Sequence, residues 1–135
     1  MRLRPNSSER GFTLIEMVVV ISLILVLLSI ALPMYQRSIV RTKEARLHYD
    51  VMTLNKCIQE YSQTKRKAPQ SLDELVEAGY LKFIPQDITG RADSWQTEQE
   101  ESEKAWDPNQ PGIAWVHSGS NETSTEGTPY SSWTH

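Results

Sequence analysis

The chain has 135 residues, with 14 basic side chains against 17 acidic ones and a formal charge of −3. That length holds one modest domain. The charge is unevenly spread: from Asp87 onward nine acidic residues face only Arg91 and Lys104, a local charge of −7. Such a tail excludes a nucleic-acid partner, since phosphate binding needs a basic patch. Lys65-Arg66-Lys67 is too short to reverse this and reads as a solvated helix end. Cys57 is the only cysteine, so an intramolecular disulfide and a cysteine zinc site are both excluded. It reads as a small buried hydrophobe on a helix face.

Taken in chain order, residues 1–11 are short and polar and carry Arg2, Arg4 and Arg10. They are followed by FTLIEMVVVISLILVLLSIAL, residues 12–32. As a helix this run is about 31 Å long, which matches a hydrocarbon core of about 30 Å. The arginines place the N-terminal side in the cytoplasm and the rest of the chain beyond the membrane. An ordinary secretory signal has a shorter apolar core and a small-x-small cleavage site, and Ala31-Leu32-Pro33-Met34 makes a poor one. A plain signal anchor fits the length but leaves Glu16 unexplained. A carboxylate inside a membrane helix costs about 2.5–3.5 kcal/mol, so it calls for a function.

Gly11-Phe12-Thr13-Leu14-Ile15-Glu16 resembles the GFTLIE signature of type IV pilins and type II secretion pseudopilins. The resemblance implies cleavage between Gly11 and Phe12 by a prepilin peptidase and N-methylation of the new Phe12 amine. The mature chain then begins with its apolar segment. Physical chemistry gives Glu16 a role in that setting. In a helical assembly its carboxylate meets the Phe12 amine of the next subunit, and at low dielectric that pair is favoured over two lone charges. It would fix axial register, as one buried polar residue does in a coiled coil.

Pro33 is expected to kink or locally melt the helix without ending it, because helical patterning resumes at once; pilin-like proteins often carry a proline here. Ile39, Val40, Leu47, Val51, Leu54, Ile58 and Tyr61 then recur at spacings of three and four, an apolar stripe on a helix running to about Lys67. Arg41, Lys43, Glu44, Arg46 and Asn55 fall on the opposite, polar face. Pro69 stops this helix. Ser71-Leu72-Asp73-Glu74 reads as a capping box opening a short helix over about 71–78, which ends at Gly79. The stretch over residues 68–90 is similar to the region after the long helix of major pseudopilins. There, Pro85, Asp87, Gly90 and Trp95 loosely echo a turn whose DPWG run is missing here.

Beyond Ile84 short apolar pieces alternate with Gly, Pro, Ser and Asn. Ile113-Ala114-Trp115-Val116-His117 is the clearest strand, Ser94-Trp95-Gln96-Thr97 a weaker one, and Tyr130 to Trp133 a last edge strand or a packed tail. Two to four antiparallel strands are expected on the helix, stapled by Trp95, Trp106, Trp115 and Trp133. The fold class is α+β, divided into a leader (1–11), a membrane and filament-core helix (12–33) and a head (34–135).

The chain carries no G-x-S-x-G frame, phosphate loop or H-E-x-x-H. His48, His117 and His135 are isolated, so no enzyme is expected. Major pseudopilins bind calcium in a C-terminal loop, which makes Ser118, Ser120 and Asn121 candidate ligands; a solvated loop is the simpler reading. The resemblance implies a structural subunit of a type II secretion pseudopilus, with the head in the periplasm of a bacterial inner membrane. Its partners would be copies of itself, minor pseudopilins, an inner-membrane assembly platform and the peptidase. A type IV pilus subunit and a single-pass membrane-anchored binding domain stay open as alternatives.

Overall fold

The computed structural model describes residues 13–134. The element order is α1 (Leu14–Lys65), α2 (Leu72–Glu77), β1 (Gln96–Gln99), β2 (Ile113–His117) and a 3-10 turn, η1 (Tyr130–Ser132). The described chain falls into two compact units, with the boundary in sequence between Ser38 and Ile39; each includes part of α1.

From Met17 to Leu32 α1 carries no charged residue and is apolar on every side but for Ser22 and Ser29, and its leucines, isoleucines and valines are all exposed. A helix that is hydrophobic all round belongs in a large core or in lipid, and this stretch is long and apolar enough to cross a membrane. Its two serine side chains are satisfied within the helix. Ser22 Oγ donates to the Val18 carbonyl at 2.7 Å and Ser29 Oγ to that of Val26 at 2.6 Å, as a hydrocarbon environment requires. The helix continues through Pro33, as the resumed patterning predicts.

The second unit is built on the rest of α1. Leu47, Val51, Leu54, Cys57, Ile58 and Tyr61 turn inward against Leu75, Trp95, Ile113, Val116, Tyr130 and Trp133. The stripe is shorter than expected, because Ile39 and Val40 are exposed. Helix α1 ends before Pro69: Arg66 takes φ 56°, a left-handed conformation that non-glycine residues seldom adopt, and this reverses the chain two residues early. Cys57 is buried, donates to the Tyr80 carbonyl at 3.4 Å, and burial pushes its thiol up, which makes it unreactive.

Ser71 caps α2 by accepting the Glu74 N–H at 3.3 Å. The reciprocal bond is displaced by one residue, since Glu74 Oε2 accepts the Gln70 N–H at 2.6 Å and its Oε1 accepts the Tyr61 hydroxyl at 2.9 Å. The helix ends in a Schellman motif. Gly79, at φ 84°, donates to the Val76 carbonyl and Tyr80 to that of Leu75, which satisfies two orphan carbonyls.

Strands β1 and β2 form a two-stranded antiparallel sheet with Glu98 opposite Trp115 and an irregularity between Glu98 and Gln99. β1 begins two residues later than expected, leaving Trp95 in the core and the strand itself exposed. Of the two readings of Tyr130 to Trp133, the packed tail holds: the segment forms η1, with Tyr130 and Trp133 in the core. Of the four tryptophans, Trp95 and Trp133 are stapled into the core, whereas Trp106 and Trp115 are 44% and 51% exposed. Pro85, Asp87, Gly90 and Trp95 do share one turn. Trp95 Nε1 donates to the Pro85 carbonyl at 2.8 Å, and Gly90 N–H to that of Asp87 at 2.8 Å. The Asp87 carboxylate, 3% exposed, accepts from Ile88 N–H, Ser94 Oγ and Gly119 N–H at 2.7–3.0 Å. A Cβ at Gly119 would lie 2.0 Å from the Ser94 carbonyl oxygen, so this close approach admits only glycine.

Candidate assembly site

Gly11 and Phe12 lie outside the described residues. The structure begins at Thr13, which caps α1: its Oγ1 accepts the Glu16 N–H at 3.3 Å, and its own N–H donates to Glu16 Oε2 at 3.3 Å. Thr13-Leu14-Ile15-Glu16 is therefore a reciprocal capping box. It holds a carboxylate against the first turn of a helix, where the backbone dipole favours negative charge. The T-x-x-E spacing of Thr13 to Glu16 carries that signal in the sequence. Glu16 and Pro33 are not brought together, since 17 residues of helix separate them by about 25 Å. Pro33 acts on α1 alone, by removing the N–H that would serve the Ser29 carbonyl.

Where the head meets α1, one carboxylate departs from expectation. Glu44, placed on the polar face by its spacing, is only 6% exposed. It accepts the Thr125 N–H at 2.8 Å, the Tyr130 hydroxyl at 2.9 Å and the Thr125 hydroxyl. Burial alone would raise its pKa, but the bonds from Thr125 and then Tyr130 outweigh that and hold the carboxyl below the usual 4.5. Burial and the same carboxylate push the Tyr130 phenol up to about 12. One turn on, His48 stacks on Trp133 with ring centroids 3.8 Å apart. Asn55, also assigned to the polar face, clamps the two ends of the C-terminal region. Its Oδ1 accepts the Val116 N–H at 2.8 Å, and its Nδ2 donates to the carbonyls of Val116 and Thr134 at 3.1 and 2.9 Å. Both corrections share a cause: Val116, Thr125, Tyr130 and Thr134 reach α1 beyond its apolar stripe and bond to polar side chains at the border of that stripe.

Residues 6–32 match the family model described as Prokaryotic N-terminal methylation motif. The chain is 30% identical over 104 residues to the Type II secretion system core protein G of Escherichia coli (strain K12), an alignment covering 65% of this chain and 72% of that protein. It belongs to the type IV pilin-like pseudopilins. No solved structure matches the chain.

The side chains suggested as calcium ligands of this pseudopilin each accept a hydrogen bond within the chain. Ser118 Oγ accepts the Ser120 N–H at 3.1 Å, Ser120 Oγ accepts the Glu122 N–H at 3.3 Å, and Asn121 Oδ1 accepts from Ser131 at 2.8 Å. Calcium sites draw on carboxylates, amide and backbone carbonyls and water; this trio supplies one amide carbonyl and two hydroxyls. Among the described residues no three His, Cys, Asp or Glu side chains form a metal-binding group.

Among the described residues one buried carboxylate oxygen of the pseudopilin head has no hydrogen-bond partner. Asp50 Oδ2 lies 3.6 Å from Arg46 Nε, outside bonding reach, and burial raises its pKa despite that guanidinium. An acid with a raised folded pKa weakens the fold above its unfolded value of 3.8 and is neutral in effect below it. Asp50→Asn is therefore expected to stabilise the head by about 1 kcal/mol at pH 7, with the gain vanishing below pH 3.8. Urea midpoints at the two pH values check this; an equal gain at both would mean the charge is not the cause.

Proposed function

We propose that this pseudopilin polymerises through its N-terminal helix into a type II secretion pseudopilus and so drives protein export. The observation that carries the reading is the exposed apolar first part of α1, opened by the Thr13–Glu16 box inside the match to the methylation motif. An entirely apolar surface of this length must be covered by lipid or by other helices, and a filament subunit uses both in turn.

In this reading residues 1–11 are a leader that prepilin peptidase removes between Gly11 and Phe12, and the Phe12 amine is methylated. Residues 12–33 form the membrane and filament-core helix, and residues 34–135 the periplasmic head. Arg2, Arg4 and Arg10 hold the N-terminus in the cytoplasm. Partners are further copies, minor pseudopilins and the inner-membrane assembly platform. A relative is named as a core protein of the secretion system, which supports a structural, non-enzymatic role.

The test is the intact mass of membrane-extracted protein made with a prepilin peptidase. Wild type is expected to start at methylated Phe12, whereas Gly11→Ala keeps residues 1–11, with processing reduced by about a hundredfold or more, equivalent to about 2.7 kcal/mol at the transition state. A wild-type chain still carrying its leader would leave a simple membrane-anchored domain.

A further inference from the structure

The head carries two exposed surfaces that its own core does not use. On α1 the inward residues are Leu47, Val51, Leu54 and Ile58. About half a turn away Tyr49 and Met52 are 69% and 58% exposed. At 3.6 residues per turn they share one stripe with Lys56, an exposed ammonium loosely paired to Glu60 at 3.8 Å. A large aromatic and a methionine side by side on an uncovered helix face mark a contact surface.

The second surface lies on the sheet. β2 buries Ile113 and Val116 and turns Trp115 outward. Trp115 walls a depression of about 490 Å³ lined by Glu98, Glu100, Glu101 and Lys104. Each carboxylate has one partner: Glu98 Oε1 lies 3.3 Å from His117 Nε2, Glu100 Oε2 accepts the Gly112 N–H at 3.3 Å, and Glu101 Oε2 is 2.6 Å from Lys104 Nζ. Three carboxylates thus stand against one lysine. Trp106, the other exposed tryptophan, has the Arg66 guanidinium 5.8 Å over its ring. Among the described residues no cation lies in this way over Trp115. An electron-rich ring face in an acidic depression attracts a cation carried on an apolar stem.

We infer that the Trp115 depression of one subunit receives the Tyr49–Met52–Lys56 face of α1 from a second copy. The two surfaces are complementary in both respects that matter: thioether and phenol against indole, and ammonium against the carboxylates. They are also different patches on the same chain. A contact between unlike patches is heterologous, and unless its rotation closes a ring it propagates as an open helical array. The inference rests on the filament reading and adds to it the surface through which heads meet.

Cross-linking of the full chain, made with its peptidase and assembly machinery, tests the contact. In a Cys57→Ser background, Met52→Cys with Glu101→Cys places one thiol on each patch. Oxidation is expected to give a ladder of covalent multimers, and either single cysteine none. Lys56→Glu or Glu101→Lys is expected to lower filament yield by about tenfold through like-charge repulsion, and the two together to restore it. Restoration by the pair separates a broken contact from a misfolded head. Sedimentable filaments without the ladder, or reversals without effect or without mutual rescue, would overturn the contact and leave the filament reading standing. A ladder without filaments would sustain the contact and sink the filament reading; neither ladder nor filaments would sink both.

Discussion

Glu44→Ala is expected to destabilise the head by about 2–3 kcal/mol, because it strands the buried Tyr130 hydroxyl and removes the acceptor of two Thr125 donors at once. The Thr125 N–H, the Thr125 hydroxyl and the Tyr130 hydroxyl all converge on this carboxylate. No other described side chain replaces it at those atoms, and water enters poorly beside Tyr130, which is buried. Tyr130→Phe removes one donor and leaves the carboxylate with two, so its cost should be near 1 kcal/mol. Glu44→Gln keeps one acceptor oxygen but turns an amide toward a donor, and belongs between the two. The pH dependence has a definite sign. A depressed carboxyl contributes fully above its unfolded value of 4.5 and loses that contribution as the pH falls through the lower folded value. Urea unfolding of the full chain in detergent at pH 7 and pH 3 should therefore show the Glu44→Gln penalty shrinking in acid. A Glu44→Ala protein within about 0.5 kcal/mol of wild type, the range of ordinary surface changes, would remove Glu44 from any structural role.

This carboxylate also marks where the sequence stops being readable. Residues whose partners are near in sequence were legible: Ser71 and Glu74 announce the start of α2 and Gly79 its end, and the apolar run Ile113 to Val116 between Pro111-Gly112 and Ser118-Gly119 gives β2. The apolar run with GFTLIE fixed the membrane helix and the family, because both signals are contiguous. Glu44 borders the apolar stripe and would face water if the helix were considered alone. Its partners are 81 and 86 residues away, in a segment whose Ser, Thr, Gly and Pro carry no periodicity. Trp106 and Trp115 were misplaced for the opposite reason. Tryptophan is usually buried, and only the register of β2 against β1 turns Trp115 outward. Thr13 was legible and was missed: its spacing to Glu16 is a helix-start signal that a family signature covering the same residues obscured.

That capping box sharpens the largest effect expected of any single substitution, the loss of assembly on changing Glu16. Two roles now compete for one carboxylate. Within the chain it caps α1 by accepting the Thr13 N–H at 3.3 Å; between chains, as proposed, it pairs with the Phe12 amine of a neighbour. Glu16→Gln separates them. An amide oxygen still accepts a backbone N–H, as glutamine does in capping boxes, but it carries no charge to meet an ammonium. If the cap is what matters, Gln should assemble nearly as well as wild type, and Ala should show only the loss of about 1 kcal/mol typical of a cap. If the charge pair matters, Gln and Ala should fail alike. An unpaired amine buried at low dielectric costs several kcal/mol, which lowers filament yield by a hundredfold or more at about 1.4 kcal/mol per factor of ten. The expected result is equal failure, with processing at Gly11 unchanged in both variants. Shearing filaments from cells and quantifying the pelleted subunit, alongside intact mass for processing, measures the two together. Wild-type filament yield from Glu16→Gln would assign the carboxylate to the helix start and leave subunit register to the packing of the apolar faces.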